Sequence, residues 1–223
     1  NDELTTTHYG LGIKTNRYEA FLKSGYVFPG KKYKSYGIQL STFQHQQDSY
    51  FGLLSYAARQ KNLYFNFIYQ SIIGNTNHKF RTGTSFVSDK YNEDVNSTIY
   101  KRMEQTGGVF FEYTYDYKNK LNFIAGLRTD YNSLYGWFLT PRLHLRYEPV
   151  KGTIFRLSAG RGQRTANIFA ENMSLFVSSR KIIITPSEGG KAYGLLPEIS
   201  WNKGVSIDQS FRLFNRNATA GID

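Results

Sequence analysis

An all-β chain, more narrowly a segment of an antiparallel transmembrane β-barrel, is predicted by three observations. Apolar and polar residues alternate with period two along most of the sequence, and no stretch shows convincing 3.6-residue spacing. Short connections alternate with long ones, the two-sided order of a barrel with tight turns at one end and loops at the other. The aromatic content is 17%, carried by 18 Tyr and 17 Phe, and these rings gather at the predicted strand ends. There an apolar ring with a polar tip suits a membrane–water boundary.

The bulk numbers agree. The 223 residues allow one or two domains and a sizeable core. Zero Cys excludes a disulfide scaffold, a thiolate metal site and thiol catalysis. A mean hydropathy of -0.49 with 20% charged residues excludes a bundle of transmembrane helices. The longest apolar stretch is about that of Phe123–Leu127, against the ~20 apolar residues a spanning helix needs. A barrel escapes this test because only every second residue meets lipid.

Taken in order, fragments at 4–14 and 17–28 come first, and Pro29-Gly30 is a turn. Residues 33–58 form either one very long strand or two joined near Gln46-Gln47, and Arg59–Asn62 reads as the next turn. Strand 62–72 (Leu63, Phe65, Phe67, Tyr69) leads through Gly74–Asn77 to strand 78–88 and a long connection at 89–106. In strand 107–117, Val109, Phe111, Tyr113, Tyr115 and Tyr117 oppose Glu112, Thr114 and Asp116. The turn Lys118–Lys120 precedes strand 121–131, and a loop at 132–137 follows it. Strand 138–148 sets Leu139, Leu143, Leu145 and Tyr147 against Thr140, Arg142, His144, Arg146 and Glu148. The turn Glu148–Gly152, strand 153–161, a long loop at 163–197, strand 200–213, the turn Phe214–Asn217 and a fragment at 218–223 complete about a dozen strands. The sequence begins Asn-Asp-Glu-Leu without a signal peptide and ends within an alternating run, so a segment of something longer is expected.

A soluble sandwich also alternates. Runs of about 9–11 residues, the length of a tilted spanning strand, favour lipid. So do bulky charges on the polar face, Arg81, Arg128, Arg142, His144, Arg146 and Arg156, which need a spacious wet lumen.

The runs Leu139–Tyr147, Phe155–Gly162 and Arg164-Thr165-Ala166-Asn167-Ile168-Phe169-Ala170-Glu171-Asn172 resemble the barrel of TonB-dependent outer-membrane receptors, most nearly the Bacteroidetes-type siderophore/cobalamin receptor-like group. Pro197-Glu198, Trp201-Asn202 and Gly204 resemble the next strand start of that family. The resemblance implies a barrel of about 22 strands around an N-terminal plug. Residues 1–223 are then the middle of one barrel, with the plug, the TonB-contacting segment and the closing strands outside the sequence. It implies active import of a scarce nutrient, such as a ferric siderophore, haem or cobalamin, across a Gram-negative outer membrane. The implied partners are outer-membrane lipid and lipopolysaccharide, the plug, TonB and a surface lipoprotein. The competing reading is a soluble all-β binding module for nucleic acid or glycan, suggested by the +11 charge and the Tyr content.

Candidate sites follow from both readings. Arg142, Arg146, Arg156, Arg161 and Arg164 alternate toward one face, joined by Arg128 and His144, and are expected to line the lumen and attract an anion. Plug carboxylates and lipopolysaccharide phosphates are the competing partners for them. The 163–197 loop, with Phe176, Arg180, Lys181, Lys191 and Tyr193, is expected to cover the ligand vestibule. Gly160–Ala166 mimics a dinucleotide fingerprint but lacks its third Gly and any βαβ context. His8, His45, His78 and His144 lie without metal-ligand spacing. Asp89, Asn92, Glu93 and Asp94 crowd an external loop without the spacing of a calcium loop. No catalytic pairing, cofactor motif or nucleic-acid motif is visible, so a non-enzyme without cofactor is expected.

Overall fold

The structure is a computed structural model that describes Leu4, residues 8–178, 183–185, Gly189 and 191–223. Ten strands run in sequence order through one antiparallel sheet: β1 Leu11–Val27, β2 Ser35–Phe51, β3 Leu54–Ile73, β4 Asn75–Val95, β5 Thr98–Tyr117, β6 Leu121–Asn132, β7 Gly136–Tyr147, β8 Thr153–Arg164, β9 Glu198–Leu213 and β10 Arg216–Ile222. Each pairs with its neighbour in sequence, and β1 and β10 each keep one unpaired edge.

The count is ten rather than about a dozen because strands β2 to β5 are 17 to 21 residues long. The β2–β3 turn lies at Gly52-Leu53, not near Gln46-Gln47, and Arg59–Asn62 sits inside β3. The expected loop at 89–106 is a hairpin closed at Asn96-Ser97, with φ of 49° and 67°. Positive φ at both central residues is what a tight type I′ connection demands. Lys118-Asn119 and Phe214-Asn215 repeat that geometry at the opposite end.

Register sorts the side chains into two walls, because paired residues in an antiparallel ladder share a face. One wall is polar. Along one level of it run Gln70, Arg81, Glu112, Gly126, Arg142 and Gly160. Its polar groups include the nearly inaccessible Asn66, Ser85, Asp130 and Asn132. The other wall exposes Leu63, Val109, Phe111, Leu127 and Leu139, each more than 40% accessible. Apolar outside and polar inside inverts a soluble sandwich and fits a lipid-facing barrel wall. Tyr36, Tyr69, Tyr115, Tyr117 and Tyr147 on that wall end the strands at the short-turn side. Tyr131 and Trp137, in edge-to-face contact at 5.3 Å, end them at the other. No helix of the described residues is long and apolar enough to cross a membrane.

Candidate vestibule and ligand site

Strands β2 to β5 rise beyond the shorter β6 and β7, because β5 pairs with β6 only as far as Thr106 opposite Asn132. The described parts of the 165–197 connection fold back onto the inner face of this taller wall. Its short helix α1, Ile168–Glu171, and a 3₁₀ turn at Met173–Val177 bring Phe169 and Phe176 against Phe51 and Tyr56. Phe176 is 2% exposed and stacks on Tyr56 at 5.3 Å. Burial of such rings gives the loop a hydrophobic core of its own.

The run opening this loop supplies its polar staples. Arg164 forks onto Glu171 at 2.8 and 2.9 Å and reaches Glu198 at 2.7 Å across the β8–β9 ladder. Thr165 donates to Glu104 at 2.6 Å, Asn167 Oδ1 accepts from Arg102, and the Asn167 backbone N–H donates to Glu171 at 3.1 Å. Asn172 closes the turn by donating to the Ile168 carbonyl at 2.8 Å. Burial pushes the Glu171 carboxyl up, but Arg164 and the Asn167 N–H outweigh it and hold it below the usual range.

The returning end is pinned too. Lys191 Nζ donates to the Leu134 carbonyl at 2.6 Å, and the Tyr135 hydroxyl donates to the Leu195 carbonyl at 3.3 Å while accepting from the Ala192 N–H. Tyr193 has φ +53°, a conformation bulky residues rarely adopt. It is held there by its hydroxyl, which donates to Glu93 at 2.5 Å, and by its ring, set edge-on to Phe169 at 5.4 Å. Glu93 also accepts from Tyr56 at 2.9 Å. Burial, then the Glu93 carboxylate, raise the Tyr193 phenol well above its ordinary value.

Arg102 lies at the centre of this arrangement. Its guanidinium is 3.8 Å from the Tyr91 ring centroid and 4.9 Å from that of Tyr193. Its Nε and Nη1 are buried and have no hydrogen-bond partner among the described residues. Beside it, between the free upper edge of β5 and the loop, opens a cavity of about 440 Å³ lined by Glu93, Tyr100, Lys101, Lys191 and Tyr193 among others. Two such enclosed donors carry the cost of lost hydration, so they mark a strained point at the cavity's edge that a hydrogen-bond acceptor would relieve.

The basic series expected from sequence divides. Arg128, Arg142, Arg146, Arg156 and Arg164 all face the polar wall, yet each is matched by a carboxylate of the barrel or loop. The pairs are Arg128–Asp130, Arg142–Glu112, Arg146–Glu148, Arg156–Asp208 and Arg164 with Glu171 and Glu198. His144 shares their wall, level with Ile124 and Ser158. Arg161 does not share it. It pairs in register with Trp201 on the lipid-facing wall and donates to the Leu139 carbonyl. Its odd number among even-numbered partners already carried that signal. Asn202 faces inward opposite Gly160, whereas Trp201 is 61% exposed on the outer wall. Phe176 is buried in the loop's core, while Lys191 and Tyr193 both pin the loop and line the cavity. Ala166 and Ala170 lie within the folded run, and Pro197 ends the loop before Glu198. Arg180 and Lys181 lie outside the described residues. Asp89 and Glu93 point inward while Asn92 and Asp94 point outward, because 89–94 is strand. Sequence reasoning missed Arg102, Tyr91 and Glu104. They stand in the stretch read as loop, where no alternation flagged them.

The family comparison decides the fold's kinship. The profile described as "TonB dependent receptor-like, beta-barrel" matches residues 1–223. The chain belongs to the TonB-dependent receptor β-barrel family. That family is one of outer-membrane transport receptors rather than enzymes, and the soluble-module reading is set aside. Comparison with curated proteins gives no match. Among solved structures, the siderophore receptor PirA from Acinetobacter baumannii is 13% identical, with TM-score 0.70 over 94% of this chain and 34% of that one. A mutant of the ferric enterobactin receptor PfeA from Pseudomonas aeruginosa is 13% identical, with TM-score 0.69 over 89% and 33%. A double mutant of the Serratia marcescens hemophore receptor HasR, in complex with its hemophore HasA and heme, is 15% identical, with TM-score 0.68 over 95% and 39%. These likenesses concern fold. The chain spans between about a third and two fifths of those three structures.

Proposed function

We propose that this TonB-dependent barrel segment belongs to a receptor that imports a scarce nutrient, such as a ferric siderophore, haem or cobalamin, across the outer membrane. A plug, TonB and a surface lipoprotein are its partners in this reading, and its kin are the Bacteroidetes-type siderophore/cobalamin receptors. The observation that supports it is the vestibule: a loop latched over the tall wall beside a cavity of about 440 Å³ lined by Lys101, Arg102, Lys191 and Tyr193, with two Arg102 nitrogens left without a partner among the described residues. The barrel makes and breaks no covalent bond. It presents Arg102 and the surrounding tyrosines to a cargo with anionic or carbonyl oxygens, and the docked loop keeps bulk water from competing. In this reading the lumen arginines, each paired with a carboxylate and two of them sharing Glu112, add a weaker pull on an anion than bare cations would. They fix the wall's shape.

Uptake tests the reading. Cells expressing the complete receptor are given radiolabelled ferric siderophores, haem and cobalamin. One cargo enters, and an uncoupler stops it. Arg102→Gln weakens that cargo's binding about ten- to a hundredfold, the loss expected for one or two charged hydrogen bonds. If deleting the receptor leaves uptake of every cargo unchanged, the reading fails.

A further inference from the structure

Above the last β5–β6 contacts, residues 98–104 of β5 run on without a neighbour, because β6 is stopped by a built turn. Asn132, 1% exposed, accepts from the N–H groups of Leu134 and Tyr135 and donates to Glu104 and Thr106, so the chain leaves the sheet there. Ser133 closes the final rung. Gln105 donates its N–H to Ser133 Oγ at 2.9 Å, and its carbonyl accepts the Ser133 N–H at 2.8 Å. In an antiparallel strand both backbone groups of a residue point to one neighbour, and the side alternates along the chain. Gln105 points both toward β6, so Ile99, Lys101 and Met103 point theirs the same way, where β6 has ended. The carbonyls of Gly108 and Phe110 agree with this parity, since they accept from Thr84 and Thr82 of β4. Three N–H and three C=O groups thus stand along about 14 Å of edge with no backbone partner among the described residues. Residues 98–105 hold no proline, bulge or positive φ, the features that blunt an edge against pairing. The returning loop stands off from this edge, fastened beside Leu134 and Tyr135. The cavity of about 440 Å³ opens between them, lined by residues 99–102 on one side and 191–193 on the other. Neighbouring side chains of a strand point to opposite faces, so a consecutive run along one side marks a backbone edge. Lys101, Arg102 and Lys191 make the slot positive, and Glu93, the carboxylate among its described lining residues, is already held by Tyr56 and Tyr193.

We propose that the β5 edge at Ile99, Lys101 and Met103 takes an extended acidic peptide as an added strand. The proposal deepens the vestibule reading, on which it rests, by giving the cargo a class: an oligopeptide, or a nutrient that carries an extended peptide segment. A polypeptide backbone repeats one donor and one acceptor every two residues, about 6.8 Å, which is the spacing this edge presents. A flat ring or a compact metal chelate has no such repeat. Side chains of the added strand alternate between two rows. One row joins Tyr100 and Arg102 facing the loop, and the other joins Ile99, Lys101 and Met103 on the outer face. A carboxylate in the first row faces Arg102, and one in the second faces Lys101. Another segment of the receptor paired with the edge is the competing occupant, and it requires that no peptide binds.

The test uses the complete receptor in detergent and fluorescence anisotropy. The probe is the hexapeptide Thr-Val-Glu-Val-Thr-Glu, labelled at its N-terminus. Two isomers carry backbone N-methyl groups, one on the second and fourth residues and the other on the third and fifth. An added strand bonds the edge through alternate residues, so one isomer is expected to bind about tenfold or more weakly while the other keeps the parent affinity. Replacing both Glu of the probe by Gln is expected to weaken binding severalfold. On the receptor side, Met103→Pro removes an N–H that faces the open edge and leaves the β4 ladder intact, so it lowers affinity about tenfold, whereas Met103→Ala does not. Should Met103→Pro misfold by its heat-dependent gel mobility, the two isomers on the wild-type receptor still decide. No binding of the parent peptide, or equal binding by the two isomers, overturns the inference. Uptake of the labelled peptide and of the other nutrients is scored in cells expressing the same receptor. Absent peptide binding with a nutrient still imported fells this inference alone. Peptide binding with the isomer pattern but no import of any cargo upholds the strand site and fells the import reading.

Discussion

Gly107 and Gly108 are adjacent on β5 and make opposite demands. An added Cβ at Gly108 would collide with the Asp130 carboxylate and lie 3.0 Å from the Thr129 carbonyl, while one at Gly107 would meet only Phe86 at 3.9 Å. Asp130 grips Arg128 through two hydrogen bonds, and Arg128 also holds Ser85 at 2.6 Å. Gly108→Ala therefore breaks a charged network and is expected to cost about 1–3 kcal/mol, whereas Gly107→Ala costs almost nothing. The temperature at which the receptor's gel mobility shifts measures both; equal values for the two variants would refute the argument. At this scale the sequence was legible by parity. Within β8, Arg156 and Arg164 share a face by parity and the same arithmetic excludes Arg161, while register adds Arg128, Arg142 and Arg146 to that face. Their carboxylate partners were less legible, because Glu112 and Asp208 are brought to Arg142 and Arg156 only by register across strands.

Among the elements, the strands confined to the lipid band were the readable ones. The expected 121–131, 138–148 and 153–161 correspond to β6, β7 and β8 within about three residues at either end. Alternation fades in the upper parts of β3 to β5 for a physical reason. Above the lipid, outward positions such as Arg59, Lys61, Lys90 and Asn92 meet water, so both faces turn polar while the ladder continues. The Gly52-Leu53 turn hid differently: Phe51 and Tyr56 beside it are apolar because the loop covers them. That loop's docking should respond to pH through Tyr193. Docking raises the phenol pKa, so the docked state keeps its proton longer than the undocked one, which releases it near its ordinary value of about 10. Docking is thus insensitive to this group below about pH 9 and weakens as pH climbs past about 10, by up to 1.4 kcal/mol per pH unit. A thiol label at Ala192→Cys, a 3%-exposed position in a chain without Cys, reads the opening. Labelling rises steeply in that range, and adding Tyr193→Phe flattens the rise. Phe176→Ala, which leaves a void beneath the loop, is expected to cost about 3–5 kcal/mol. Combined with Ala192→Cys, it should let the label react already at neutral pH.

For the molecule as a whole, the open sheet is the governing fact. The outer edge of β1 presents unpaired backbone along Leu11–Val27, and β10 presents another. Hydrocarbon tolerates neither, since each unsatisfied N–H or C=O costs several kcal/mol there. The 223 residues refolded alone into detergent micelles should form aggregates or multimers rather than a heat-modifiable monomer. A monodisperse monomer in light scattering would show that the edges pair with each other. The uneven wall has a consequence of another kind. Residues 98–105 of β5 continue past the last β5–β6 pair, and eight residues at about 3.4 Å each, inclined at about 40°, lift the rim by about 20 Å. The rim of this segment is therefore slanted like a cut reed. Its parapet over β3–β5 backs the loop, and its low side at Leu134 and Tyr135 fastens the loop's returning end, so the slant works as a seat tilted beneath the loop.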